Sequence, residues 1–241
     1  MALRGAAYAD FVRRDSAAFA AAAEGNLGAN VPSCPAWTVA DLVGHLTEAH
    51  LFWRVVAERR VQDRKELGDL EPPTPSDPVQ YFLDHAVRFA DLLAAANPET
   101  PVWTWSSRKN LGFIQRRMAH ETAVHRWDAQ LAAGDPHPID GDLATDGVDE
   151  FFELFLNFDE PITGHGEVLH IHRTDGSGEW LVRLTPAGPN VSHGHEKGDA
   201  AVRGPASDLM LLLWRRVGAD DVEVFGDRAL LNSFLAHAYL D

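Results

Sequence analysis

The stretch His120-Glu121-Thr122-Ala123-Val124-His125 sets a carboxylate and an imidazole four positions apart. On a helix, that spacing offsets two side chains by only about 40° and stacks them one turn apart on one face. Glu121 and His125 so placed can grip one divalent ion, and a third donor must then come from another helix. His45 sits at the edge of the apolar stripe Leu42, Leu46, Ala49, Trp53 and Ala57, so it faces a bundle interior and is the candidate. Two neutral imidazoles and one carboxylate leave about one positive charge on a divalent ion. Three protein ligands also leave a tetrahedral ion such as Zn2+ a position for water or substrate, whereas a closed structural site takes four. Asp128, three residues past His125, is placed to orient a ligand from behind. The same Glu–His spacing also describes an ordinary solvated helix pair. The companions Ile114, Met118 and Ala132 on that face argue against full exposure.

Other residue types carry weaker signals. Arg117, one turn before Glu121, is a candidate anchor for an anionic substrate, as are Arg203 and Arg215; each is also an ordinary surface arginine by type. Trp103 and Trp105 can wall a pocket or simply pack. His170 and His172 alternate on a predicted strand and share a face, and His193 and His195 do likewise on another, so four histidines could build a second metal site. Exposed strand histidines without an ion are the plainer reading of that pattern.

These residues need elements to hold them. An Ala-rich helix is expected from about Ala6 to Glu24, closed by Gly25. Val31 to Trp37 is extended and punctuated by two prolines. Thr38 with Asp41 three residues later is a capping-box pattern that opens a helix to about Val61. A polar, proline-rich loop from about Asp63 to Asp77 leads to a third helix over Pro78 to Ala96. The fourth runs from about Phe113 to Ala133 and carries the Glu121–His125 pair. Four helices with no convincing strand predict a four-helix bundle over residues 1–140.

Gly134 to Gly141 looks like a linker, and the remaining 141–241 changes character. A helix is expected over Leu143 to Phe158, then strands at Val168 to Thr174 and Trp180 to Thr185 around a hairpin signal, Asp175-Gly176-Ser177-Gly178. Shorter strands fall near Val191 and at Ala200 to Arg203. A helix opens at Pro205 and runs through Arg216, Val222 to Phe225 forms a last strand, and Asp227 caps a final helix to Tyr239. The fold class expected is therefore mainly α with an α+β C-terminal part.

The bulk composition narrows the partners. The 241 residues carry 21 basic and 36 acidic side chains, a formal net charge of -15. Such a surface repels phosphate backbones and anionic lipid, so neither nucleic acid nor membrane is an expected partner. No run approaches the roughly 20 apolar residues of a membrane helix. Met1 to Asp10 lack a hydrophobic signal core, which gives the expectation of a cytoplasmic protein. Cys34 is the single cysteine, so neither an internal disulfide nor a multi-cysteine metal site can form within one chain.

Two segments resemble the mycothiol-dependent maleylpyruvate isomerase family. One is Val31-Pro32-Ser33-Cys34-Pro35-Ala36-Trp37-Thr38-Val39-Ala40-Asp41-Leu42-Val43-Gly44-His45-Leu46; the other is Arg116-Arg117-Met118-Ala119-His120-Glu121-Thr122-Ala123-Val124-His125-Arg126-Trp127-Asp128-Ala129. The second half is similar to the family's C-terminal domain at Gly204-Pro205-Ala206-Ser207-Asp208-Leu209 and Val224-Phe225-Gly226-Asp227. The resemblance implies a DinB-like four-helix bundle that binds zinc through a His, a Glu and a His, at positions matching His45, Glu121 and His125. It also implies a small sterol-carrier-like α+β domain and a low-molecular-weight thiol cosubstrate, mycothiol, in an actinobacterial source that fits the Ala- and Arg-rich composition. Cys34 lies in the turn the family shares, which favours packing over nucleophilic chemistry.

A free thiol has a pKa of about 8.5, and coordination to Zn2+ would present it as thiolate to a small electrophile. Isomerisation and S-transfer use the same site, so the triad does not choose between them. The competing reading is a non-catalytic zinc-binding regulatory or partner-binding protein, its ion closed by a fourth ligand such as Asp128 or His85. A further alternative is a metal-free relative that binds an apolar ligand in its C-terminal domain.

Overall fold

A computed structural model describes residues 3–68, 74–156 and 162–237. These divide into two compact units, Met1–His137 and Pro138–Asp241, and the division falls inside the stretch Gly134 to Gly141.

The first unit is built from α1 (Gly5–Ala23), α2 (Val39–Arg59), α3 (Pro78–Ala95) and α4 (Leu111–Ala132). α1 packs on α3 and α4, and α2 packs on the same two. Local chemistry sets the helix starts. Thr38 Oγ1 accepts from the Asp41 N–H at 3.3 Å, and the Asp41 carboxylate accepts from the Thr38 N–H at 2.8 Å, so α2 begins with a closed capping box. Asp77 caps α3 ahead of Pro78, and Asn110 caps α4 by accepting from the Phe113 N–H at 3.1 Å. The apolar faces meet around Phe19, Leu42, Leu46, Phe82 and Ala129, with Phe19 and Phe82 edge to face at 4.9 Å.

The expectation of no strand here is overturned. Asn30–Val31 (β1) and Cys34–Thr38 (β2) pair antiparallel around Pro32 and Ser33. The two prolines hid the alternation, and the pairing is short enough to leave no periodic signal. Val31, the second residue of β1, is fully buried against the helical core. A 3-10 turn, Arg64–Leu67, also interrupts the region read as loop, capped by Asp63.

The second unit holds α5 (Gly141–Leu154) and five strands, β3 (Val168–Arg173), β4 (Glu179–Thr185), β5 (Gly188–His193), β6 (Ala200–Gly204) and β7 (Glu223–Gly226). With them come α6 (Ala206–Leu213) and α7 (Arg228–His237). The sheet order is β5-β4-β3-β6-β7, with β3 and β6 parallel and the other neighbours antiparallel. Alternation puts Leu169, Ile171, Trp180, Val182, Ala200 and Val202 in the core, and the Trp180 indole donates to Asp149 of α5 at 2.6 Å.

The mainly-α chain with an α+β C-terminal part is therefore the fold observed. α6 stops at Leu213 rather than Arg216 because Arg215 adopts φ +55°. The last residues expected in the final helix, beyond His237, and the end of the helix expected to reach Phe158 lie outside the described residues. Among the described residues, no helix is long and apolar enough to cross a membrane.

The caps give a direct test. Thr38→Ala removes the side-chain acceptor at the start of α2 and is expected to cost about 1 kcal/mol in chemical denaturation, with Thr38→Ser restoring it.

Candidate metal centre

α4 is buried nearly all round, although it carries Arg116, Arg117, His120, His125, Arg126 and Asp128 among its buried residues. Polar groups taken out of water are costly unless bonded, so the pairings along this helix define the site.

The three residues predicted as ligands come together. His45 Nε2 of α2 lies 3.1 Å from Glu121 Oε1, and His125 Nε2 lies 3.3 Å from the same oxygen. One ligand atom from each falls within 4.8 Å of the others, and the two imidazole rings meet edge to face at 4.9 Å. Donors around a tetrahedral Zn2+ are separated by roughly 3.3–3.5 Å, so this set fits a divalent ion with small side-chain adjustments. Among the described residues, no further His, Cys, Asp or Glu joins this group.

Asp128 stands behind His125. Its Oδ2 accepts from His125 Nδ1–H at 2.9 Å, and its Oδ1 accepts from Ser33 Oγ at 2.5 Å. Asp128 has no exposed surface. This chain fixes the ring and leaves Nε2 to face His45 and Glu121. Arg117, itself buried, donates to Glu121 Oε2 at 2.7 Å and leaves Oε1 for the two histidines.

The electrostatics follow from these contacts. Burial alone would raise the pKa of Glu121, but Arg117, His125 and His45 outweigh it and hold the carboxyl well below its usual range. Burial also disfavours a charged His125, yet Asp128 and Glu121 overcome that and raise its pKa to about 9. His50, on the same helix as His45, is pushed down to about 3 by burial and is neutral. The Thr122 hydroxyl donates to the Met118 carbonyl at 2.6 Å, so its oxygen accepts from His50 Nε2–H at 2.9 Å. The site is open on one side, where the His45 side chain keeps 38% of its exposure. Trp37 of β2 lies against the His45 ring at 4.9 Å.

Residue type and spacing did not reveal Ser33 and Trp37 as partners of the site. Their signal was proximity in sequence to the start of α2, which only the β1–β2 pairing turns into contact. Other candidates lie elsewhere. Trp103 stacks on Trp53, and Trp105 meets Phe113, within an aromatic cluster. His85 lies against the Tyr81 ring. Arg203 faces Glu223 across β6 and β7, and Arg215 donates to the Leu235 carbonyl at the end of α7. Cys34 packs against the helical core.

Comparison with known proteins agrees with the architecture. The solved structure of a histidine-to-alanine mutant of the mycothiol-dependent maleylpyruvate isomerase superposes with a TM-score of 0.60 at 12% identity, covering 92% of this chain and 93% of that one. A double mutant of the sec-alkyl sulfatase PisA1 gives a TM-score of only 0.34 at 16% identity, over 66% of this chain and 28% of that one, and carries no weight here. No curated protein sequence matches significantly. Residues 9–130 match the mycothiol maleylpyruvate isomerase N-terminal domain and residues 142–233 match the corresponding C-terminal domain, so the chain belongs to the mycothiol maleylpyruvate isomerase family.

Proposed function

We propose that this chain is a metal-dependent enzyme that uses mycothiol, or a thiol like it, to isomerise a small electrophile or to transfer the thiol sulfur to it. The solved relative carries the name of a mycothiol-dependent maleylpyruvate isomerase, so maleylpyruvate heads the substrate panel. The observation that carries the proposal is the convergence of His45, Glu121 and His125 without a fourth protein donor among the described residues.

His45, Glu121 and His125 would hold the ion. A zinc-class ion bound there would lower the pKa of a coordinated thiol and supply it as thiolate. Asp128, supported by Ser33, orients His125 through Nδ1 and favours the tautomer with a free Nε2. Arg117 is a positioning residue in this account, since its guanidinium holds Glu121 from the side away from the histidines. Trp37 shields one face of His45 from water.

A closed regulatory site would need another protein ligand. Asp128 is engaged with the far nitrogen of His125, and His85 lies against Tyr81, so neither supports that reading. With an electrophile bearing a carbonyl-activated double bond, thiolate addition forms a C–S bond as the C=C π bond opens to an enolate, and the adduct rotates about the resulting single bond. Collapse of the enolate then re-forms the double bond and expels the thiolate, which gives isomerisation, while protonation of the enolate carbon and release of the adduct give S-transfer. Both outcomes make the same demands on the residues named.

Three outcomes are expected. His125→Ala loses one equivalent of divalent ion per chain by elemental analysis; unchanged metal content overturns the ligand assignment. Asp128→Asn keeps the ligands but weakens that site about 10–100-fold in chelator competition. Wild-type protein incubated with mycothiol and maleylpyruvate or related electrophiles gives thiol-dependent isomer or adduct by mass spectrometry, and His125→Ala does not. No product across the panel contradicts the enzymatic reading.

A further inference from the structure

The sheet of the C-terminal unit carries a second group of metal-ligating side chains. On β3, Leu169 and Ile171 enter the core while His170 and His172 project from the opposite face. The antiparallel register sets Glu179 of β4 directly across from His172. Glu179 then draws in three imidazoles. His170 Nε2 lies 3.0 Å from its Oε2, His172 Nδ1 3.3 Å from its Oε1, and His195 Nδ1 2.7 Å from its Oε2. One ligand atom from each of the four residues falls within 4.8 Å of the others, the same closeness seen in the N-terminal triad.

The expected partnership of His193 with His195 does not form. His193 is paired with Trp180, which places it toward the other face, and its Nε2 lies 3.5 Å from Asp149 of α5. Gly194, with φ +149°, breaks the alternation and lets His195 turn back to Glu179. The segment carrying His195 is anchored. A Cβ on Gly198 would lie 2.5 Å from the Ala200 carbonyl oxygen and 2.7 Å from that of Val168. Asp199 closes the return by donating its N–H to Val168 O and accepting from Val168 N–H, both at 2.8 Å. A cavity of about 340 Å3 lies beside the cluster, lined by His172, Glu179 and His195 among others.

We propose that His170, His172, Glu179 and His195 form a second divalent metal site, distinct from the N-terminal triad. Three imidazoles and one carboxylate favour zinc-class ions over magnesium or calcium, which prefer all-oxygen sets. Four protein ligands make it a closed, structural site that ties the β5–β6 connection to β3 and β4.

The test uses full-length, tag-free protein stripped with chelator and titrated with Co2+ and Zn2+. Wild type is expected to take two equivalents, and His125→Ala to retain one, with the visible bands of tetrahedral Co2+. In the His125→Ala background, adding His195→Ala removes a direct ligand and weakens the remaining site by more than the roughly 10–100-fold that loss of an outer-shell partner costs, whereas adding His193→Ala leaves it intact. His195 is an exposed side chain, so its variant should keep the fold, and circular dichroism checks this. A single equivalent in wild type that His195→Ala leaves unchanged overturns this site while leaving the N-terminal one standing. Retention of the second equivalent by the His125→Ala, His195→Ala double variant overturns it equally.

Discussion

A carboxylate with no exposed surface is stable as a charge only when its oxygens are bonded, and Asp128 is in that position on α4. It accepts from Ser33 on one oxygen and from His125 on the other. The Ser33 bond requires the β1–β2 pairing to sit against α4, and β2 runs directly into the capping box that starts α2. α2 then delivers His45, two turns on, to the oxygen of Glu121 that His125 also faces. The placement of a buried acid thus couples a turn, two helices and the three converging donors.

The rest of α4 follows the same logic. Arg117 is matched to Glu121, and Arg126 donates to Gln130 and to the His137 carbonyl while facing Asp15 of α1. Thr122 accepts from His50 and donates its hydroxyl hydrogen bond to the Met118 carbonyl. Ion pairs of this kind contribute little net stability compared with an apolar core, because desolvation offsets the attraction. α4 nevertheless keeps these polar side chains buried, and it is the helix on which Glu121 and His125 converge with His45.

Much of this was legible in the sequence. Thr38 with Asp41 announced the start of α2, and the stripe Leu42, Leu46, Ala49, Trp53 and Ala57 announced its buried face, because those signals are local. The four-residue step from Glu121 to His125 announced a shared face. What stayed hidden depends on contacts between remote segments. The prolines around Ser33 concealed a strand pairing, and Arg117 reads as a surface cation until its burial beside Glu121 is seen. Glu179 becomes a neighbour of His172 only through the strand register, and His193 separates from His195 only through the backbone of Gly194.

Anomalous diffraction at the zinc edge, on crystals of protein grown with Zn2+, tests the central claim most directly. The account predicts a peak about 2.0–2.2 Å from His45 Nε2, His125 Nε2 and a Glu121 oxygen, with the fourth position held by solvent or thiol. Absence of density at that point, or a fourth protein side chain closing it, would contradict the account.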